Sequence, residues 1–108
     1  MQKLCPWKIR ERFNQLQIAE RELQGKLRLV IVDDDDPAPQ ANQDSGTRSQ
    51  FVEYWTHQGT LLAKCHRYVR PDGSIGGRGR ADPKWLRVGS EIWKPSHDDQ
   101  SRCQDCQP

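Results

Sequence analysis

The chain has 108 residues, 33% of them apolar and 30% charged, with net charge +2 and mean hydropathy −1.00. That length fits one domain with a single modest core. No apolar run approaches the ~18–20 residues of a membrane span, and the charged stretch Met1 to Arg12 lacks the apolar region of a signal peptide. The expectation is a cytoplasmic protein with reduced cysteines and no membrane partner.

Charge is segregated along the chain. Residues 1–29 carry a net +4, residues 30–49 a net −4, residues 50–96 a net +4 and residues 97–108 a net −2. Basic blocks with folding patterns therefore alternate with acidic, polar ones. Such blocks attract each other or an anionic partner.

The first element reads as a helix over about residues 6–24. Pro6 suits the first helical position, where its missing N–H costs nothing. Ile9, Phe13, Leu16, Ala19, Leu23 and Leu27 recur at spacings of three and four and line one face. Gly25 is placed to cap the C-terminus. Leu27 to Val32 is short, apolar and β-branched, the pattern of a buried strand. Four adjacent carboxylates, Asp33 to Asp36, and then Pro37 are expected to end it. Residues 33–49 are rich in Asp, Pro, Asn and Gln and read as an acidic flexible loop.

Phe51 to Thr56 and Thr60 to Arg70 read as two strands joined at His57-Gln58-Gly59. In the second, Leu61, Ala63, Cys65 and Val69 share one face. Leu62, Lys64, His66, Tyr68 and Arg70 share the other. Arg70-Pro71-Asp72-Gly73 has turn chemistry, and Ser74 to Asp82 is too glycine-rich for a regular strand interior. Trp85 to Val88 and Glu91 to Trp93 flank Gly89-Ser90, a hairpin signature. The fold class expected is α+β: an N-terminal helix packed on a small, mostly antiparallel sheet of four or five strands. It forms a single domain over residues 1–96, followed by a polar tail at 97–108. The four tryptophans, Trp7, Trp55, Trp85 and Trp93, are expected to anchor the core.

The strongest chemical signal is basic. Between Lys64 and Arg87 there are seven Lys/Arg against Asp72 and Asp82. A strand face with cations and an aromatic can hold phosphates while a base stacks. The run Gly76-Gly77-Arg78-Gly79-Arg80 adds a loop whose backbone approaches closely and whose arginines reach phosphates bidentately. The candidate binding residues are Lys64, Arg67, Tyr68, Arg70, Arg78, Arg80, Lys84 and Arg87. Arg67 is the odd member, because alternation turns it toward the apolar face. The bland alternative is a solvated sheet face beside a glycine-rich loop.

Cys103 and Cys106 have the spacing of half a zinc site, which needs two more ligands, such as Cys5 and His97. Cys65 lies on the apolar face and reads as a small core residue. Leu29-Val-Ile-Val-Asp33-Asp34 resembles the opening strand and acidic pair of receiver domains. The resemblance ends within six residues, and no doubly wound domain fits after residue 36. His57, His66 and Lys64 lie in neighbouring strands, which raises a small ribonuclease as a third reading. No Gly-x-Ser-x-Gly, P-loop or His-Glu-x-x-His occurs.

Arg67-Tyr-Val-Arg-Pro-Asp-Gly-Ser-Ile-Gly-Gly-Arg-Gly-Arg-Ala-Asp-Pro-Lys84 resembles a segment of small uncharacterised bacterial and phage proteins. The resemblance implies a defined module over residues 60–94, with Asp82 holding backbone N–H groups or an arginine, and implies no activity. The function expected is a non-enzymatic module without a cofactor that contacts nucleic acid or another polyanion. The alternative is an adaptor, such as a phage or mobile-element accessory factor, that binds an acidic protein.

Overall fold

A computed structural model describes residues 1–77 and 79–97. Six strands and two α-helices follow in the order β1 (Gln2–Leu4), α1 (Pro6–Gln15), α2 (Ile18–Leu23), β2 (Leu27–Asp35), β3 (Arg48–Thr56), β4 (Leu61–Val69), β5 (Asp82–Val88) and β6 (Glu91–Pro95). They form one sheet in the order β1-β6-β5-β4-β3-β2. Every neighbouring pair is antiparallel except β1 and β6, which run parallel. The class is α+β, with one strand more than the expected upper count. The strand that sequence reading missed is β1, three residues long and too short to show a period of two.

The single expected helix is two. Pro6 opens α1, and Ile9 and Phe13 are buried on its inner face. The chain breaks at Gln17, which takes a left-handed conformation (φ 54°) before α2 starts. This break rotates the second helix, so Leu23 is 83% exposed although its spacing placed it on the apolar stripe. Gly25 (φ 77°) ends α2 as expected. Its N–H bonds the Glu22 carbonyl and the Lys26 N–H bonds the Arg21 carbonyl, both at 2.9 Å, which satisfies carbonyls the last turn leaves free.

The acidic run does not stop β2. Asp33, Asp34 and Asp35 pair with Phe51, Gln50 and Ser49 beyond a bulge at Val32. Carboxylate repulsion is offset locally. Arg48 Nε donates to Asp34 Oδ1 at 2.9 Å, a second Arg48 nitrogen reaches Asp36, and Gln50 Nε2 donates to Asp34 Oδ2 at 3.3 Å. Because β2 is an edge strand, its charges also keep it from pairing with another chain. The connection that follows contains a short 3₁₀ turn, Pro39–Ala41.

Both helices lie on one side of the sheet. Ile9, Phe13 and Ile18 pack there on Val52, Tyr54, Ala63, Cys65 and Leu86, all at most 3% exposed. The Phe13 and Tyr54 rings meet edge to face at 5.9 Å. Burial drives the Cys65 thiol and Tyr54 hydroxyl pKa values strongly upward, so both stay neutral. The tryptophans divide: Trp93 packs against the core, whereas Trp7 is 44% exposed, and none is fully buried. No described helix is long and apolar enough to cross a membrane.

Candidate functional site

In antiparallel pairing, directly opposed residues share a face. The register therefore defines what the uncovered side of the sheet displays. One row across it is Asp33, Phe51, His66 and Asp82. The next is Val30, Glu53, Lys64 and Trp85. Ser49 opposes Tyr68 beyond the first row. Trp55 lies on the Glu53 side and donates from Nε1 to Glu53 Oε1 at 3.1 Å.

These side chains form a continuous aromatic surface. Phe51 is 47% exposed, and its ring centroid is 5.0 Å from that of His66. His66 and Tyr68 meet edge to face at 4.7 Å. Lys64 Nζ lies 5.6 Å from the Trp85 centroid, and Arg87 Cζ lies 5.4 Å from it. Arg87 Nε also donates to the Leu61 carbonyl at 2.8 Å. Both cations are thus held over one indole, with little freedom left to lose on meeting an anion. Charge is graded across the face: Asp33 and Asp35 mark the β2 side, and Lys64 and Arg87 mark the β4–β5 side.

His66 is fixed within this surface. Its Nε2 and Ser49 Oγ are hydrogen-bonded at 2.7 Å. Burial, and then the Lys84 charge, lower its pKa below the usual histidine value, against an opposing pull from Asp82. His57 lies in the β3–β4 turn and bonds the Gly25 carbonyl at 2.9 Å. The strand rise puts these two histidines roughly 20 Å apart, so they do not form an acid–base pair.

The candidate residues read from the sequence fall into groups. Lys64, Tyr68 and Arg87 lie together on the uncovered face. Arg67 leaves β4 on the helix side, where its Nε donates to Gln50 Oε1 at 3.0 Å. Arg70 sits past the end of β4 and reaches Ser74 Oγ at 3.4 Å. Arg80 pairs with Glu20 on α2, and that guanidinium holds the Glu20 carboxyl below its usual pKa. Lys84 occupies a bulge in β5 and pairs with Asp82 at 2.9 Å. Arg78 lies outside the described residues. Leu62, read as sharing the Lys64 face, instead packs against the core, because the β3–β4 register shifts beside it.

Sequence reading did not place Phe51 on this face and left open which of the tryptophans would lie on an exposed surface. The signal was present in β3, where Ser49, Phe51, Glu53 and Trp55 alternate with Gln50, Val52 and Tyr54. Aromatics on both sides of one strand hid which side was open.

Asp82 is the ionic hub beneath the β5 end of the face. It accepts from Arg10 Nε at 2.9 Å and from Lys84. Burial alone would raise its pKa, but these two cations hold it at about 2. The carboxylate therefore ties α1 to β5, and the arginine it holds is Arg10.

Among the described residues, no three His, Cys, Asp or Glu side chains gather in a way that fits a metal ion. Cys65 is a buried free thiol, and Cys5 is also buried. Cys103 and Cys106 lie outside the described residues. No family model matches the chain, and searches of curated proteins and of solved structures give no match.

Proposed function

We propose that this chain is a non-enzymatic module that binds single-stranded nucleic acid across the uncovered face of its sheet. The reading is carried by one observation: the Phe51, His66 and Tyr68 rings run together beside a Trp85 indole that bears both Lys64 and Arg87. Bases offer flat π faces regardless of sequence, and aromatic side chains on an open sheet stack on them. The cations stand within the same surface, where a phosphate backbone passes the stacked bases. The acidic β2 edge repels phosphates and sets the side on which the backbone lies. A duplex hides its base faces and gains only the ionic part, so single strands are preferred.

Fluorescence anisotropy with single- and double-stranded RNA and DNA, at ~50 and ~200 mM salt, tests the reading. Single strands are expected to bind more tightly than duplexes, and to weaken as salt rises. Phe51→Ala and Lys64→Ala, each checked for folding by circular dichroism, are expected to lose affinity. The alternative is an acidic protein partner, which uses Lys64 and Arg87 but not stacking. Competition by polyglutamate against a labelled single strand separates the two. If polyglutamate competes as well as unlabelled RNA, and Phe51→Ala binds normally, the face serves an acidic protein.

A further inference from the structure

β5 begins only at Asp82, which pairs with His66, so beside Arg67 to Val69 the sheet is continued by a loop rather than a strand. The Gly76 N–H bonds the Tyr68 carbonyl at 2.8 Å and holds that loop against β4. The approach is close: a Cβ on Gly76 would lie 3.2 Å from Tyr68 Cβ and 3.0 Å from Gln43 Oε1. The seam contains a cavity of about 330 Å³, walled by Gly76 and Gly77 and touched by His66, Arg67 and Tyr68. His66 and Tyr68 leave β4 through the uncovered face and Arg67 through the opposite one. The cavity lies along the strand edge where these three residues meet the loop.

Its charge is unbalanced. Arg67, Arg80 and Lys84 line it against one carboxylate, Asp82. Asp82 is shared between Arg10 and Lys84, and Arg80 is paired with Glu20. Arg67 spends its Nε on Gln50, and among the described residues it has no carboxylate partner. A partly buried guanidinium without a counter-ion is costly, and a bound anion compensates it.

We infer that this seam is a phosphate site for the terminal monoester of a strand whose bases stack on the neighbouring face. The inference rests on the proposed nucleic-acid reading. A terminal group is favoured over an internal one by shape. The cavity that Arg67 lines is bounded by His66 and Tyr68 on one side and by Gly76 and Gly77 on the other. A phosphodiester carries a sugar on both sides and would have to draw both into the seam, whereas a monoester enters with one. Charge agrees in sign: Arg80 and Lys84 already have Glu20 and Asp82 as partners, and Arg67 is the lining cation left for an anion. Arg67 supplies the planar fork that matches phosphate oxygens.

The test uses one single-stranded sequence with a 5′-phosphate, a 3′-phosphate or no terminal phosphate, measured by anisotropy at low salt. The full chain is expected to bind one phosphorylated form at least about tenfold more tightly than the hydroxyl-ended strand, as one charge-assisted contact provides. Arg67→Gln is expected to lose that preference while keeping its affinity for the hydroxyl-ended strand. Lys84→Ala, an exposed change that guards against misfolding of Arg67→Gln, is expected to reduce the preference. Equal affinity of the unmodified protein for all three strands overturns the terminal site and leaves the stacking face standing. Failure to bind any strand overturns both. A preference that survives in both variants also overturns the assignment to this seam.

Discussion

Ser49 Oγ and His66 Nε2 are hydrogen-bonded at 2.7 Å across β3 and β4, on the side of the sheet that no helix covers. The contact fixes the imidazole between Phe51 and Tyr68, while burial and then the Lys84 charge disfavour the charged ring. His66 therefore titrates in the fold below its ordinary value of 6.5.

Stability should follow that shift. Above the unfolded pKa both states hold a neutral ring, and the contribution of His66 is complete. As pH falls through about 6.5, the unfolded chain takes up the proton first, so stability declines. Urea unfolding at pH 7.5 and 5.5 should show a drop that is smaller in His66→Gln. An equal drop in both proteins would place the responsible group elsewhere.

Asp82 gives an acid limb of the opposite origin. Its folded pKa, about 2, lies below the ordinary value of 3.8, so its stabilisation is complete above 3.8 and fades as pH falls toward 2. The shift corresponds to roughly 2 kcal/mol. Asp82→Asn should cost a comparable amount at pH 7, because Arg10 keeps its partly buried charge but loses this partner. The variant should also show a flatter acid limb. Denaturation midpoints from pH 7 to pH 2 check both.

The two phenylalanines should separate stability from binding. Phe13 is 1% exposed in the core, and Phe13→Ala should cost about 3–5 kcal/mol of stability. Phe51 is 47% exposed, so Phe51→Ala should shift the denaturation midpoint little. The same change should weaken single-strand binding by about 1–3 kcal/mol, the range for one base stacked on an aromatic ring. If Phe51→Ala unfolds the protein, that ring is structural rather than a stacking platform.

Gln17 should be improvable. Its left-handed backbone is a conformation that a residue with a Cβ adopts at a cost. Its side chain is exposed, and both of its backbone hydrogen bonds survive substitution. Gln17→Gly is expected to raise stability by about 0.5–1 kcal/mol, less the greater chain entropy of glycine. A lower midpoint would mean the side chain contributes more than the strain costs.

Much of the local structure was legible because it depends on near neighbours. Pro6 starting a helix, Gly25 ending one, Gly89-Ser90 turning a hairpin and Ala63 and Cys65 facing inward all follow from φ preferences or a period of two. The helix break at Gln17 was not legible, since glutamine carries no signal for a left-handed conformation. Nor was the continuation of β2 through Asp33 to Asp35. Its carboxylates are tolerated because Arg48 and Gln50 stand on the next strand, and that pairing is not written in the local composition.

By itself the sequence determined the α+β class, the alternation within β4 from Ala63 onward and the concentration of cations between Lys64 and Arg87. Only the tertiary structure decided which side of the sheet the helices cover. Amphipathic patterns say that a strand has two faces, but where both bear aromatics they do not say which one is buried. Covering one side turned Tyr54 into core and left Phe51, His66, Tyr68 and Trp85 as an open surface. The late start of β5 then opened the seam in which Arg67 meets its neighbours from the far side, a juxtaposition set by register between strands rather than by any spacing along the chain.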